Sequence, residues 1–285
     1  MKYLICSDFF IDDFVGGAAL NDEELFNILK NRGEDVEKVK TSSIGTQFLD
    51  DNKDNIFIIS NFFGLIPEVK EEIQKLKYII IAHDYKFVEH TNPALYKDFL
   101  VPQNEIINKE FYRNAKAIIC QSSFQEEIYN KNLTEIKTLN FSGNLWSDET
   151  LEYLSSLATV EKKEVVSVVK SPYPQKGVPE SIKFCIENRF DYELVEDKDY
   201  HVFLSKLSQN AGLSFLPLTP ETFSRVVMEC KMMKIKVFTS DMIGASYEPW
   251  FDKMGDELIE VMKGKKEEIY QIIKKLSDNP PITSA

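Results

Sequence analysis

The feature that most constrains this chain is an alternation. Short apolar runs bounded by polar residues, YLIC (3–6), IFIIS (56–60), YIIIAHD (78–84) and AIICQS (117–122), are separated by amphipathic stretches long enough for helices. Runs this brief and this rich in isoleucine predict buried strands. Between them, NDEELFNILKNRG predicts a helix capped by Asn21, acidic in its first turn and stopped by Gly33. PEVKEEIQKLK predicts a second helix with Pro67 near its start, and SSFQEEIYNKN a third opened by a serine cap. Strand–helix–strand repetition of this kind implies a parallel sheet covered on both faces.

The pattern then restarts. After the helix SDETLEYLSSLATVEKKE come VVSVV (165–169), YELV (192–195), GLSFLPL (212–218) and KVFTS (236–240). Helices fit between them over 178–188, 199–208 and 221–234, and GKKEEIYQIIKKLSD is a long amphipathic helix. The fold class is α/β. Two doubly wound, Rossmann-like domains are expected, 1–160 and 161–285, facing a central cleft. In open sheets of this type ligands bind beyond the carboxyl ends of the strands, so the residues just after each strand are the ones to inspect.

Composition narrows the partners. The 285 residues carry a formal net charge of −12, and 43% are hydrophobic. That balance suits an ordinary globular protein and argues against a broad nucleic-acid surface, which needs a basic footprint. A small anion held by a few local cations remains compatible. The four cysteines lie in apolar segments with no C-x-x-C spacing, which predicts buried free thiols in a reducing compartment. The opening MKYLICSDFF turns acidic within a few residues, and no apolar run approaches the ~20 residues of a membrane span. A cytoplasmic protein without a transmembrane segment is expected, with room for peripheral membrane contact.

Four groups follow strands and could carry chemistry. The first is PETFSRVVMEC (220–230). Here Glu221 is expected to open a helix whose first-turn amides lack partners and suit a phosphate. Glu229 is expected about two turns deeper, roughly 12 Å along the axis. Carboxylates at those two places could accept from sugar hydroxyls at either end of a ligand with phosphates between. The plainer alternative is that Glu221 complements the helix dipole and Glu229 is exposed. Yet the neighbours of Glu229 look buried, and a buried carboxylate needs partners. The second group is VVKSPYPQKG (168–177), where Lys170 and Lys176 could neutralise a diphosphate and the charge of a departing nucleoside diphosphate, or could be solvated surface lysines. The third is FVGGAALND (14–22), in which Gly16 and Gly17 permit close backbone approach to a ligand, or simply a turn. The fourth is IIIAHDYKF, where His83 and Asp84 end a strand. His83 could bond a sugar hydroxyl, or be a satisfied histidine. His90 and His201 have no such setting. No third ligand accompanies Asp12-Asp13 or Asp50-Asp51, and neither a Walker loop nor a G-x-S-x-G elbow occurs.

These residues resemble those of the retaining glycosyltransferases of family 4, the glycogen-synthase-like group with the GT-B fold. FLPLTPETFSRVVMECKMM resembles that family's E-x7-E segment, and VVKSPYPQKGVPESI its Arg/Lys…Lys-Gly segment. FVGGAAL resembles its glycine-rich first loop, AIICQSSFQEEIY the strand and helix closing its first domain, and DMIGASYEPWF the segment after the next strand. The resemblance implies that 1–160 is the acceptor-side domain and 161–285 the donor domain, whose last helix can pack back on the first. It implies transfer of a sugar from a nucleotide donor, of UDP or GDP type, to a glycan or other hydroxyl acceptor, with retention and without metal or cofactor. Glu229 would bind the ribose, Glu221 the donor sugar near the reacting carbon, and Lys170 and Lys176 the diphosphate. Thr222, Phe223 and Ser224 would line the phosphate site, Gly16 and Gly17 would approach it from the first loop, and His83 would sit by the donor sugar and acceptor. Thr222 and Ser224 stand where the family usually has smaller residues, and Lys170 where arginine is common. The alternatives are an epimerase of the same fold, which needs further acid/base groups, and a non-catalytic glycan- or partner-binding protein.

Overall fold

The computed structural model describes residues 1–278, so the end of the expected second domain, 279–285, lies outside the described residues. The chain divides into two compact units, one comprising residues 1–145 with the described residues from Lys265 on, the other Trp146–Gly264.

The first unit runs β1 (Tyr3–Ser7), α1 (Gly17–Asn31), β2 (Val36–Lys40), α2 (Thr46–Asp51), β3 (Ile56–Ile59), α3 (Pro67–Ile73), β4 (Tyr78–Ile81), α4 (Lys109–Arg113), β5 (Ile118–Cys120), α5 (Ser123–Asn132) and β6 (Thr138–Asn140). Its six strands pair in parallel in the order β2-β1-β3-β4-β5-β6. Alternate residues of a strand point to opposite faces. Leu4, Cys6, Phe57 and Ile59 accordingly join one apolar core, while Tyr3, Ile5, Ile56 and Ile58 join another. This is why the strands read as unbroken apolar runs. The edge strands β2 and β6 escape that signature. In β2, VEKVK, only Val39 is buried. Ser122 caps α5 as expected, accepting from the Gln125 amide. Asn21 does not cap α1: the helix starts four residues earlier, with Gly16 at its N-cap, and Asn21 is buried inside it, accepting from the Leu145 amide.

The second unit runs α6 (Asp148–Leu157), β7 (Lys163–Val169), α7 (Val178–Glu187), β8 (Tyr192–Val195), α8 (Tyr200–Ser208), β9 (Asn210–Phe215), α9 (Arg225–Met232), β10 (Lys236–Thr239) and α10 (Gly255–Asp278). Its four parallel strands follow the order β10-β9-β7-β8. The break between units precedes the expected boundary near 160. Leu151, Leu154 and Leu157 form one apolar stripe on α6, and that stripe belongs to the second unit's core. Helix α10 starts at Gly255, earlier than its charged stretch suggests. Its Leu258, Ile259 and Met262 pack in the second unit's core, and its Ile269, Ile273 and Leu276 in the first unit's.

Both sheets place their first strand between their second and third, so each has a switch point, β1/β3 in one and β7/β9 in the other. All four cysteines are buried and unpaired. Among the described residues no helix is long and apolar enough to cross a membrane.

Candidate functional site

The β7/β9 switch point gathers several of the expected residues. After β7, Pro174–Lys176 form a single 3-10 turn closed by Gly177 at φ +63°. A Cβ on Gly177 would lie 1.7 Å from the Leu216 carbonyl oxygen, so only glycine lets this turn press on the chain leaving β9. The Leu218 amide donates to the Gln175 carbonyl at 2.8 Å and ties the two loops together. Lys176 thereby lies over the Phe215 ring, and its Nζ is 2.6 Å from Glu221 Oε1. Lys170 follows β7 directly but does not join them. Half exposed, it pairs with Glu196.

Glu221 is not at a helix mouth, which corrects the expectation from sequence. The Glu221 amide donates to the Met242 carbonyl at 2.8 Å, and the Gly244 amide donates to the Glu221 carbonyl at 2.9 Å. This is an isolated parallel bridge to Ile243, and a strand-like segment cannot also be the first turn of a helix. The helix α9 begins only at Arg225, after Ser224 has turned the chain at φ +78°. The Ser224 hydroxyl oxygen is buried and has no hydrogen-bond partner among the described residues. Phe223 does not line an open site with its ring. It is buried between Trp146 and Trp250, at centroid distances of 6.2 and 5.8 Å. Thr222 completes the bend, partly buried.

Glu229 is only 2% exposed. Its Oε1 accepts from the Trp146 indole N–H at 3.0 Å and from the Tyr200 hydroxyl at 2.5 Å. Arg225, one turn earlier on α9, brings its Nε to 3.3 Å from the same oxygen. The guanidinium also lies 4.2 Å from the Trp146 ring centroid and donates from Nη2 to the Tyr200 hydroxyl. Burial, and next the Glu229 charge, push the Tyr200 pKa up, so the phenol keeps its proton and donates. Exposure, the plainer expectation for Glu229, is thus overturned.

In the first unit, Gly16 and Gly17 open α1, the helix that carries Asp22. A Cβ on Gly16 would lie 2.6 Å from the Phe14 ring, so the close approach made here is to Phe14. Asp22 is fully buried, and its Oδ1 lies 2.9 Å from His83 Nε2 while its Oδ2 accepts from Ser60. The Gln121 amide group lies 3.0 Å from His83 Nδ1, bonds the Ala82 carbonyl through Nε2, and accepts from Asn144 through Oε1. Because that Gln121 nitrogen can only donate, Nδ1 accepts and Nε2 carries the proton given to Asp22. Both ring nitrogens of His83 are engaged within the unit. The imidazole therefore does not present a free acid or base.

Among the described residues no group of three His, Cys, Asp or Glu side chains suited to a metal ion occurs. Sequence reading missed Asp22, Gln121, Trp146, Tyr200 and Arg225. Only Arg225 left a local signal, because residues four apart share a helix face.

No family model matches the chain, and no curated protein matches it in sequence. Solved structures match it in fold. The trehalose-6-phosphate synthase OtsA superposes with a TM-score of 0.65 at 10% identity, over 99% of this chain and 100% of that one. An alpha-glucosyltransferase in complex with UDP-glucose and DNA containing an abasic site gives 0.52 at 12% identity, over 98% and 90%. Against the pneumococcal O-GlcNAc transferase GtfA the TM-score is 0.49 at 13% identity, and the 80% of this chain that aligns spans about half, 52%, of that longer chain. The architecture of two Rossmann-like units is the GT-B fold.

Proposed function

We propose that the chain is a glycosyltransferase that moves a sugar from a nucleoside-diphosphate donor, of UDP or GDP type, to a glycan or other hydroxyl acceptor. Retention of configuration and independence from a metal belong to the proposal, as does a cytoplasmic setting. The observation that carries it is the Lys176–Glu221 pair held at the β7/β9 switch point, beside the start of α9. On donor entry Lys176 would exchange Glu221 for diphosphate oxygens and stabilise the charge that develops as the nucleoside diphosphate leaves. Lys170 would assist from the same strand end. The released Glu221 would accept from a hydroxyl of the donor sugar, and the first amides of α9 would receive phosphate oxygens. Glu229 would bind the ribose through Oε2, which takes no donor among the described residues. The first unit would serve the acceptor, with His83 held in place by Asp22 and Gln121 rather than transferring protons.

The shared fold supports this reading, since the alpha-glucosyltransferase with that fold holds UDP-glucose. An epimerase would need a free acid/base group, and the engagement of both His83 nitrogens favours transfer over it. A thermal-shift screen with UDP-, GDP-, ADP- and dTDP-sugars, with and without EDTA, tests the proposal. A selective rise of the midpoint that persists in EDTA and shrinks in Lys176→Ala is expected. Absence of any shift at millimolar donor would point to a non-catalytic binding protein instead.

A further inference from the structure

We infer that Trp146, Tyr200 and Arg225 are positioning residues that clamp one oxygen of Glu229 and so present the other to the ribose of a ribonucleoside diphosphate. The inference rests on the donor-site reading above and extends it to side chains that never touch the ligand.

The distribution of donors carries the argument. A buried carboxylate with a purely structural role spreads its hydrogen bonds over both oxygens, because an unsatisfied buried oxygen is costly. Here the Trp146 indole and the Tyr200 hydroxyl both donate to Oε1, at 3.0 and 2.5 Å, and the Arg225 guanidinium forms an ion pair with the same oxygen at 3.3 Å. Among the described residues Oε2 receives none. These two donors and the paired cation come from separate places: the start of the second unit, the first residue of α8 and the first residue of α9. Arg225 is also misplaced for its own helix, since a cation opposes the dipole at an N-terminus. Its pairing with Glu229 and its stacking at 4.2 Å on Trp146 account for that position. Held on one side by rigid indole and phenol groups, the carboxylate cannot turn Oε2 away, and fixed acceptors of this kind bind hydroxyls with the least ordering cost.

Calorimetric titration of the wild type, Tyr200→Phe and Glu229→Gln with UDP and with 2′,3′-dideoxyuridine diphosphate tests the clamp. The wild type should bind UDP about tenfold or more tighter than the dideoxy compound. Tyr200→Phe should narrow that ratio to roughly threefold or less by weakening UDP alone, leaving the dideoxy affinity unchanged. A ratio that collapses in Glu229→Gln yet survives intact in Tyr200→Phe would refute the clamp while keeping ribose recognition by Glu229. Equal binding of both compounds by the wild type would refute ribose recognition itself. Should Tyr200→Phe fail to fold, Arg225→Lys undergoes the same comparison. GDP and ADP with their dideoxy counterparts replace the uridine pair if UDP does not bind, and failure of all three overturns the donor-site reading.

Discussion

Lys176 Nζ lies 2.6 Å from Glu221 Oε1, so the cation proposed to bind the diphosphate and the carboxylate proposed to bind the donor sugar are each other's partner. The pair is partly exposed, 37% and 18% for the two side chains, and such pairs stabilise a fold by about 1 kcal/mol or less. Glu221→Gln should therefore fold normally and bind UDP at least as tightly as the wild type, because Lys176 no longer has to leave a carboxylate. Transfer should fall about a hundredfold, the scale of one lost transition-state hydrogen bond. Parallel titration and turnover measurements check this, and unimpaired transfer would remove Glu221 from the site.

Gly177 is the hinge on which Lys176 is placed. Gly177→Ala meets both a positive φ and the Leu216 carbonyl oxygen 1.7 Å from the new Cβ. Overpacking of roughly 1–3 kcal/mol plus about 1–2 kcal/mol for the left-handed backbone should lower stability by about 2–5 kcal/mol. Urea unfolding measures the loss. UDP affinity should fall with it, because relief of the clash moves the Pro174–Lys176 turn.

His83 should prove structural in its ring. His83→Ala leaves the fully buried Asp22 without its Nε2–H donor, retaining Ser60. A loss of roughly 2–3 kcal/mol in urea unfolding is expected. The pH dependence of turnover between 5 and 8 should be the same in His83→Gln as in the wild type if His83 transfers no proton. A titration step missing from the variant would restore His83 as an acid or base.

Alkali should unfold the protein through buried thiols and phenols. Burial raises Cys120 and Cys230 above the ordinary 9.0, and Tyr112, Tyr129 and Tyr200 above 10.0. A group whose pKa is higher in the folded than in the unfolded state stabilises fully below its unfolded value, and that contribution is lost as pH rises beyond it toward the folded value. Stability to urea should thus be flat with respect to these groups from pH 6 to 8. It should fall from about pH 9, by up to about 1.4 kcal/mol per pH unit for each group titrating.

Much was legible along the chain. Unbroken isoleucine-rich runs predict β1, β3, β4 and β5 because a strand covered on both faces has no polar side, and Cys6, Cys120, Cys185 and Cys230, each in an apolar stretch of strand or helix, are all buried. Ser122 announced its helix because a cap acts on amides three residues away. These are local effects, and local sequence records them. The rest came from strand order. Edge strand β2 has one buried residue and so little apolar pattern. Glu221 looked like the first residue of a helix, and only its bridge to Ile243 pulled it into an extended segment. Glu229 looked like a helix-face carboxylate of undecided exposure. Its fate was set by Trp146 and Tyr200, 83 and 29 residues away, which no spacing rule connects to it. Local apolar patterning alone dictates which segments are buried. Which side chains would meet at the carboxyl ends of those segments was decided by the parallel crossovers that place β7 beside β9, because contact across a sheet depends on strand order and not on distance along the chain.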